Sequence, residues 1–296
     1  MKFLIFFLTL CVSIQARNDF KNTIFVFTSR NRTPGFFSNF EGVLGFLDFY
    51  ETHPCAGVSV NFENQGYYYD SSHGPNWWEY YFEPINIVHN NKGFTRYLDW
   101  DSMHLLSLKT YTLMSRWRAH ELISRYVKIK PAITTRVQDF TQQNFDGSFI
   151  IGIHYRGTDK NLEADRVSYQ KVYDEIEKIT CHIPHYKIFV ATDEQAFLDD
   201  IVKKYDTIIY YPVIRSRSEC AVHVMPGNGY IKGEQALIDC LILSRCNLII
   251  RTESYLSHCA GFFNPFVPII TLNMLYKNDY ITLLSEPKIL ARYALV

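Results

Sequence analysis

From residue 148 onward, short apolar runs alternate with longer segments whose apolar side chains recur every three or four positions. Residues 149–154 are a continuous apolar run ending in His154, the pattern of a buried strand. Residues 168–180 follow, with Tyr169, Val172, Tyr173, Ile176 and Ile179 on one helical face. The same reading predicts a strand at 187–191 and a helix from about 194, capped by Thr192 or Asp193. A strand at 207–213 comes next, then a polar, glycine-containing loop and a helix at 233–245. A strand at 248–250, a short helix at 254–263 and a last strand at 267–272 complete this half. Strands separated by helices at this spacing predict βαβ units, hence a parallel sheet covered on both faces. Ligands in such sheets bind beyond the carboxyl ends of the strands. The residues to watch are therefore 154–160, 192–193 and 251–257.

The first half opens the same way, with a strand at 24–27, a loop at 34–39, a helix at 40–50 and a strand at 58–60. The 34–39 loop, containing Gly35 and Phe36, either faces a cleft or is an ordinary turn. Residues 65–84 are rich in Tyr, Trp and Gly, which suits either a sugar-stacking surface or the filling of a small core. A helix is expected from about 103 to 126, and Pro131 opens another. The polar stretch at 143–147 marks a domain boundary, dividing the chain into 17–145 and 146–296. The fold expected is α/β, with two Rossmann-like domains facing each other across a cleft.

Lys2 followed by an apolar run at 3–12 and a small residue, Ala16, predicts a secretory signal over residues 1–16. The run is shorter than the ~20 residues of a spanning helix, so no stable membrane span is expected. The expected location is the lumen of the secretory pathway, the periplasm or the exterior. Six cysteines remain after Cys11 is removed with the signal; an even number permits disulfides, but Cys240, Cys246 and Cys259 fall in segments expected to be buried. No metal spacing appears among Cys and His. Asp99-Trp100-Asp101 imitates an Asp-x-Asp metal motif but stands before a helix, where acidic residues are favoured anyway. One glycosylation sequon starts at Asn31. Lys plus Arg number 30, as do Asp plus Glu, so the formal net charge is zero. That balance gives no reason to expect a nucleic-acid partner, and an anionic ligand must be held by local cations.

The most informative stretch is Ile151-Gly152-Ile153-His154-Tyr155-Arg156-Gly157-Thr158-Asp159-Lys160. It reads as a strand that ends in His and Arg, then a Gly-Thr turn and an Asp-Lys pair. A planar guanidinium, a hydroxyl and turn amides suit a diphosphate. The stretch resembles the His-x-Arg-(Arg/Gly)-Thr-Asp-Lys signature of the α1,6-fucosyltransferase and nodulation-fucosyltransferase group, and more loosely that of the protein O-fucosyltransferases. Phe189-Val190-Ala191-Thr192-Asp193 and residues 233–257 resemble later segments of the same superfamily. The resemblance covers roughly residues 148–273.

The resemblance implies a GT-B-like, inverting, metal-independent transferase that uses GDP-fucose and a glycan or protein hydroxyl, with no cofactor. By position, Arg156 would neutralise the β-phosphate of departing GDP, and Gly157, Thr158 and Lys160 would complete the cradle. His154 and Asp239 would read guanine or ribose, Asp193 would shape the pocket, and Ser254 and Tyr255 would donate to phosphate. Many members carry a second Arg where this chain has Gly157, so Lys160 or a residue of the first half would have to compensate. Residues 17–145 would be the acceptor side. An inverting transfer also needs a carboxylate to deprotonate the acceptor; Glu163 is the first choice and Asp159 the second. Bland alternatives stand beside these roles: His154 as an ordinary strand-end residue, Asp159 as a salt-bridge partner, Ser254 as a helix cap. The competing functions are another nucleotide sugar on the same fold, or a non-catalytic nucleotide- or glycan-binding protein. A dinucleotide oxidoreductase ranks last because no GxGxxG follows either opening strand.

Overall fold

The computed structural model describes residues 20–29, 34–64, 66–99, 114–159 and 164–274. The signal segment, the sequon, Trp100-Asp101, the start of the helix expected from 103, Lys160 and Glu163 lie outside them. Two sheets organise the chain. The first has the order β3-β2-β1-β4, formed by β1 (Thr23–Phe27), β2 (Gly57–Val60), β3 (Asn86–Val88) and β4 (Phe94–Leu98). The second has the order β7-β6-β5-β8-β9. Its strands are β5 (Phe149–Tyr155), β6 (Tyr186–Thr192), β7 (Ile208–Ile209), β8 (Leu248–Arg251) and β9 (Ile269–Thr271). Every pairing in the second sheet is parallel, as the alternating pattern requires. In the first sheet β1 pairs in parallel with β2 and β4, but β3 runs antiparallel to β2. Neither β3 nor β4 was expected. Both lie mostly exposed at the sheet edges, so their sequences lack a buried apolar run.

Eight α-helices are described: α1 (Phe36–Thr52), α2 (Trp78–Tyr81), α3 (Arg116–Tyr126), α4 (Pro131–Asn144), α5 (Tyr169–Thr180), α6 (Gln195–Lys204), α7 (Gly229–Leu243) and α8 (Tyr255–Phe263). α1 starts four residues earlier than expected, so Phe36 to Asn39 are a helical first turn rather than a loop. α7 likewise starts four residues early, where Asn228 accepts from the Ile231 amide as an N-cap. Neither Thr192 nor Asp193 caps α6. Glu194 holds that position, and the Asp193 carboxylate turns back to the preceding strand loop. The strand expected at 207–213 shortens to Ile208–Ile209.

Side-chain alternation along β5 decides what the site receives. Ile151, Ile153 and Tyr155 point to the core beneath α5 and α6. Ile150 points to the opposite core, which α7 covers. Gly152 shares that second face; a Cβ there would lie 2.9 Å from Cys246 Sγ and Leu243 Cδ2. With no side chain, it lets the α7 end of the helix layer approach the strand. His154 and Arg156 continue the same even-numbered series toward α7.

The two sheets are tied together by helices. Arg118 on α3 binds Asp48 and Glu51 of α1 at 2.7 and 2.5 Å, while Arg116 and His120 reach carbonyls of Val267 and Phe262. Glu41 of α1, fully buried, meets His258 of α8 at 3.0 Å. One apolar core accordingly runs from Phe25 and Phe46 of the first half to Leu237 and Ile249 of the second. Most of the aromatic stretch fills it: Trp77, Trp78 and Tyr81 are fully buried, and Tyr80 and Tyr68 nearly so. Trp77, Trp78, Tyr80 and Tyr81 fill the core, while Tyr68 packs against it and also borders the cavity described below. All six described cysteines are free. No described helix is long and apolar enough to cross a membrane.

Candidate active site

A cavity of about 400 Å³ opens between the two sheets, beyond the carboxyl ends of β5, β6 and β8. Its walls come from both halves. From the first half come Pro34 to Ser38, at the N-terminus of α1, and Tyr68. From the second come His154, Arg156, Asp159, Thr192, Asp193, Ser254 and Tyr255, all at strand ends, and the inner face of α7. Two helix N-termini, those of α1 and α8, thus face one space. First-turn amides have no partner within their own helix, and the helix dipole adds partial positive charge there. At α1 one such amide, that of Phe36, already donates to Tyr68 Oη at 2.8 Å. Ser254 occupies the cap position of α8, yet its side chain makes no capping bond.

Arg156 lines the cavity with its side chain only 18% exposed. Its amide donates to Thr252 Oγ1 at 2.8 Å, which fixes the strand end. Its guanidinium donates to Asp193 Oδ2, and to Asp159 Oδ1 at 2.6 Å. Asp193 is the hub of the loop. It also accepts from the Gly157 amide at 3.0 Å and from Thr158 Oγ1 at 2.5 Å. Thr158 and Gly157 are therefore supports behind the cavity wall and are not among its lining residues. One guanidinium between two carboxylates sums to one net negative charge when all three are ionised. The motif alone is thus a poor attractor for a diphosphate.

The glycine at position 157 has a local explanation. A Cβ at Gly157 would overlap the Glu194 carboxylate. Glu194 is held there by Arg166 Nη2 at 2.7 Å and by Tyr169 Oη at 2.5 Å, and Arg166 also donates to the Gly157 carbonyl. Arg166 supplies a cation from behind the loop, outside the cavity lining.

The inner face of α7 contributes Lys232, Gln235, Ala236 and Asp239. They follow the i, i+3, i+4, i+7 series of one helical stripe. Asp239 is buried, and one of its carboxylate oxygens has no hydrogen-bond partner among the described residues. Burial pushes its carboxyl up to about 7, against the opposing pull of the Arg215 charge. Lys232 is also buried, and its ammonium donates to the carbonyls of Met225 at 2.7 Å and His223 at 3.2 Å. His223 lines the cavity as well; burial, and then the Arg156 charge, push its imidazole down from the ordinary value.

Of the residues singled out in the sequence, Gly35, Phe36, His154, Arg156, Asp159, Asp193, Asp239, Ser254 and Tyr255 line this one cavity. Gly157 and Thr158 do not, and Lys160 and Glu163 lie outside the described residues. Lys232 and His223 were missed. Lys232 was legible as the start of the stripe that ends at Asp239, but the helix was expected to begin one residue too late to include it. Among the described residues no group of His, Cys, Asp or Glu is placed to hold a metal ion.

No protein-family model matches the chain. Among curated proteins, Nodulation protein Z of Bradyrhizobium diazoefficiens is 25% identical over 174 residues, covering 53% of this chain and 47% of that protein. The aligned part spans about half the length of this curated relative. Solved structures extend the likeness. The NodZ α-1,6-fucosyltransferase soaked with GDP-fucose superposes with a TM-score of 0.59 at 18% identity, covering 83% of this chain and 93% of that one. The fucosyltransferase NodZ from Bradyrhizobium gives a TM-score of 0.56 with 83% and 94% coverage, also at 18% identity. The fold is that of the GT-B fucosyltransferases. The likeness in fold thus covers most of the chain, beyond the residues 148–273 over which the sequence resemblance runs.

Proposed function

We propose that the protein is a glycosyltransferase that moves fucose from GDP-fucose to a hydroxyl of a glycan or protein, with inversion at the anomeric carbon and without a metal. The observation that carries this reading is a single cavity in which the β5-tip residues meet Asp239 of α7. A nucleoside diphosphate sugar needs both: a base-reading group at one end and phosphate donors at the other. The Asp239 carboxylate suits the N–H edge of guanine, which presents only donors to it. Arg156 and the N-termini of α1 and α8 suit the diphosphate. Negative charge grows on the β-phosphate as the sugar leaves, and donors already aimed at it lower the barrier. The sugar passes through an oxocarbenium-like state, and the acceptor hydroxyl gives up its proton to a carboxylate. Glu163 remains the first candidate for that base. Asp159, at 35% side-chain exposure and bound to Arg156 through one oxygen, is the more exposed of the two carboxylates that hold Arg156 in the cavity wall. The apolar run at 3–12 supports export, and residues 17–145 are proposed as the acceptor side.

A second reading, the same reaction with a different nucleotide sugar, draws on Gly157, where Glu194 occupies the space that a second Arg needs. Mass spectrometry of donor hydrolysis distinguishes the two. Purified protein incubated with GDP-fucose, GDP-mannose, UDP-glucose and CMP-sialic acid should release GDP from GDP-fucose alone. Turnover of a UDP- or CMP-sugar in its place would reject the guanine assignment. Release from GDP-mannose alone would keep the nucleotide and reject the sugar. No turnover of any donor, with GDP still bound, would identify a non-catalytic binder.

A further inference from the structure

We infer that Lys232 is a diphosphate-binding residue, the cation that this chain uses in place of the Arg absent at position 157. The inference rests on the proposed nucleotide-sugar reading and adds to it the residue that supplies the missing charge.

Lys232 is 6% exposed, and among the described residues its ammonium hydrogen-bonds two carbonyl oxygens, those of Met225 and His223. An ammonium has three N–H donors, so one is left over. Among the described residues no carboxylate forms an ion pair with it. A buried cation without a counter-ion is costly unless something anionic arrives. Lys232 lines the same cavity as Arg156, so an anion bound there reaches both. His223, whose carbonyl Lys232 holds, lines the cavity together with Arg156, Asp159 and Asp193.

Charge counting makes the same assignment. Arg156 is offset by Asp159 and Asp193, and Arg166 by Glu194. Among the described residues, Lys232 is the cation of the cavity lining that no carboxylate offsets. The geometry also explains why a lysine serves here. The two carbonyls pin the Nζ, so the third donor points in a fixed direction without the rotamer entropy that a surface lysine loses on binding.

Isothermal titration of wild-type, Lys232→Met and Lys232→Arg proteins with GDP, guanosine and inorganic pyrophosphate tests the inference. Lys232→Met should weaken GDP tenfold to a hundredfold and abolish pyrophosphate binding, while guanosine affinity stays within about twofold. Lys232→Arg should restore a large part of the pyrophosphate affinity. Equal losses for GDP and guanosine would overturn the inference and leave Lys232 as a pin for the 213–228 loop. Undiminished pyrophosphate binding by Lys232→Met would overturn it too. Pyrophosphate binding that depends on Lys232, in a protein that ignores guanosine, would keep the inference and reject the guanine reading instead. Melting temperatures of the unliganded variants identify any that fail to fold.

Discussion

Replacing Asp239 by Asn should make the protein more stable and less able to bind its donor, and the gain should depend on pH in one direction. Burial moves the Asp239 midpoint from the ordinary 3.8 to about 7. Between those values the folded chain holds a proton that the unfolded chain has released. Stability from that proton is fully present below pH 3.8 and is lost as the pH rises through about 7. Above pH 7 the folded protein carries a buried carboxylate. About 3 pH units at about 1.4 kcal/mol each put its cost at up to ~4 kcal/mol. An amide of the same shape removes the charge but still leaves a polar group to satisfy. About half of that figure, ~2 kcal/mol, is the expected gain at pH 8, or roughly 4 °C in melting temperature for a chain of this size. At pH 5, between the two midpoints, about two of those units, ~3 kcal/mol, have not yet been lost, so the gain seen at pH 8 should vanish or slightly reverse.

The same proton governs binding if the carboxylate is what guanine meets. Wild-type affinity for GDP should fall about tenfold for each pH unit below 7, because the proton must leave first. Asp239→Asn should bind GDP about 10- to 100-fold more weakly at pH 8 and show no such slope. Differential scanning calorimetry at pH 5, 6.5 and 8, with titration calorimetry at the same values, reads both effects. A variant no more stable than wild type at pH 8, or equally stabilised at pH 5, would show that Asp239 is not a buried charge. Unchanged GDP affinity would remove it from the donor site.

Four further substitutions probe the motif at the end of β5. Arg156→Ala should lower turnover by roughly 10²- to 10³-fold while the protein still unfolds cooperatively; near-normal turnover in a donor-hydrolysis assay would refute its phosphate role. Gly157→Ala should destabilise by about 1–3 kcal/mol in urea unfolding, because its methyl displaces the Glu194 carboxylate from Arg166 and Tyr169; a neutral result would mean that Glu194 does not close that space. Glu163→Gln and Asp159→Asn should differ in kind. The variant that removes the base should lose kcat with KM nearly unchanged, whereas loss of an Arg156 partner should raise KM for the donor, so steady-state kinetics of the pair assigns the role.

Much of the second half was legible because a parallel sheet buried on both faces leaves long apolar runs at regular spacing. Residues 149–154 and 187–191 could hardly be anything else. Edge elements were not legible. β4 presents Phe94 and Tyr97 to solvent, and β3 is three residues long, so neither carries a core pattern. The aromatic stretch from Tyr67 to Tyr81 was ambiguous for the opposite reason. Its composition suits a sugar platform and a core equally, and only the packing decides. Gly233 and Gly229 make that packing possible. Without side chains they let Tyr81 and the Tyr67–Tyr68 backbone lie against α7, where Tyr81 Oη donates to the Tyr230 carbonyl at 2.9 Å.

The charge state of the site was the least legible part, and the reason is geometric. Arg156 at the end of a strand reads as an available cation because its sequence neighbours are Tyr155 and Gly157. The carboxylate that binds it most closely, Asp193, lies on the loop after the next strand. Parallel pairing of Tyr155 with Thr192 sets those two loops side by side. Local sequence supplies Asp159, and strand register adds Asp193, which together turn the cation into one member of an anionic trio. The compensating charge is hidden the same way, two helical turns before Asp239 on a helix far from the motif in sequence. A donor site of this kind is read from the motif only as to residue type. Whether it attracts or repels a diphosphate depends on which ends of which strands and helices the fold sets side by side, and here the balance falls to Lys232.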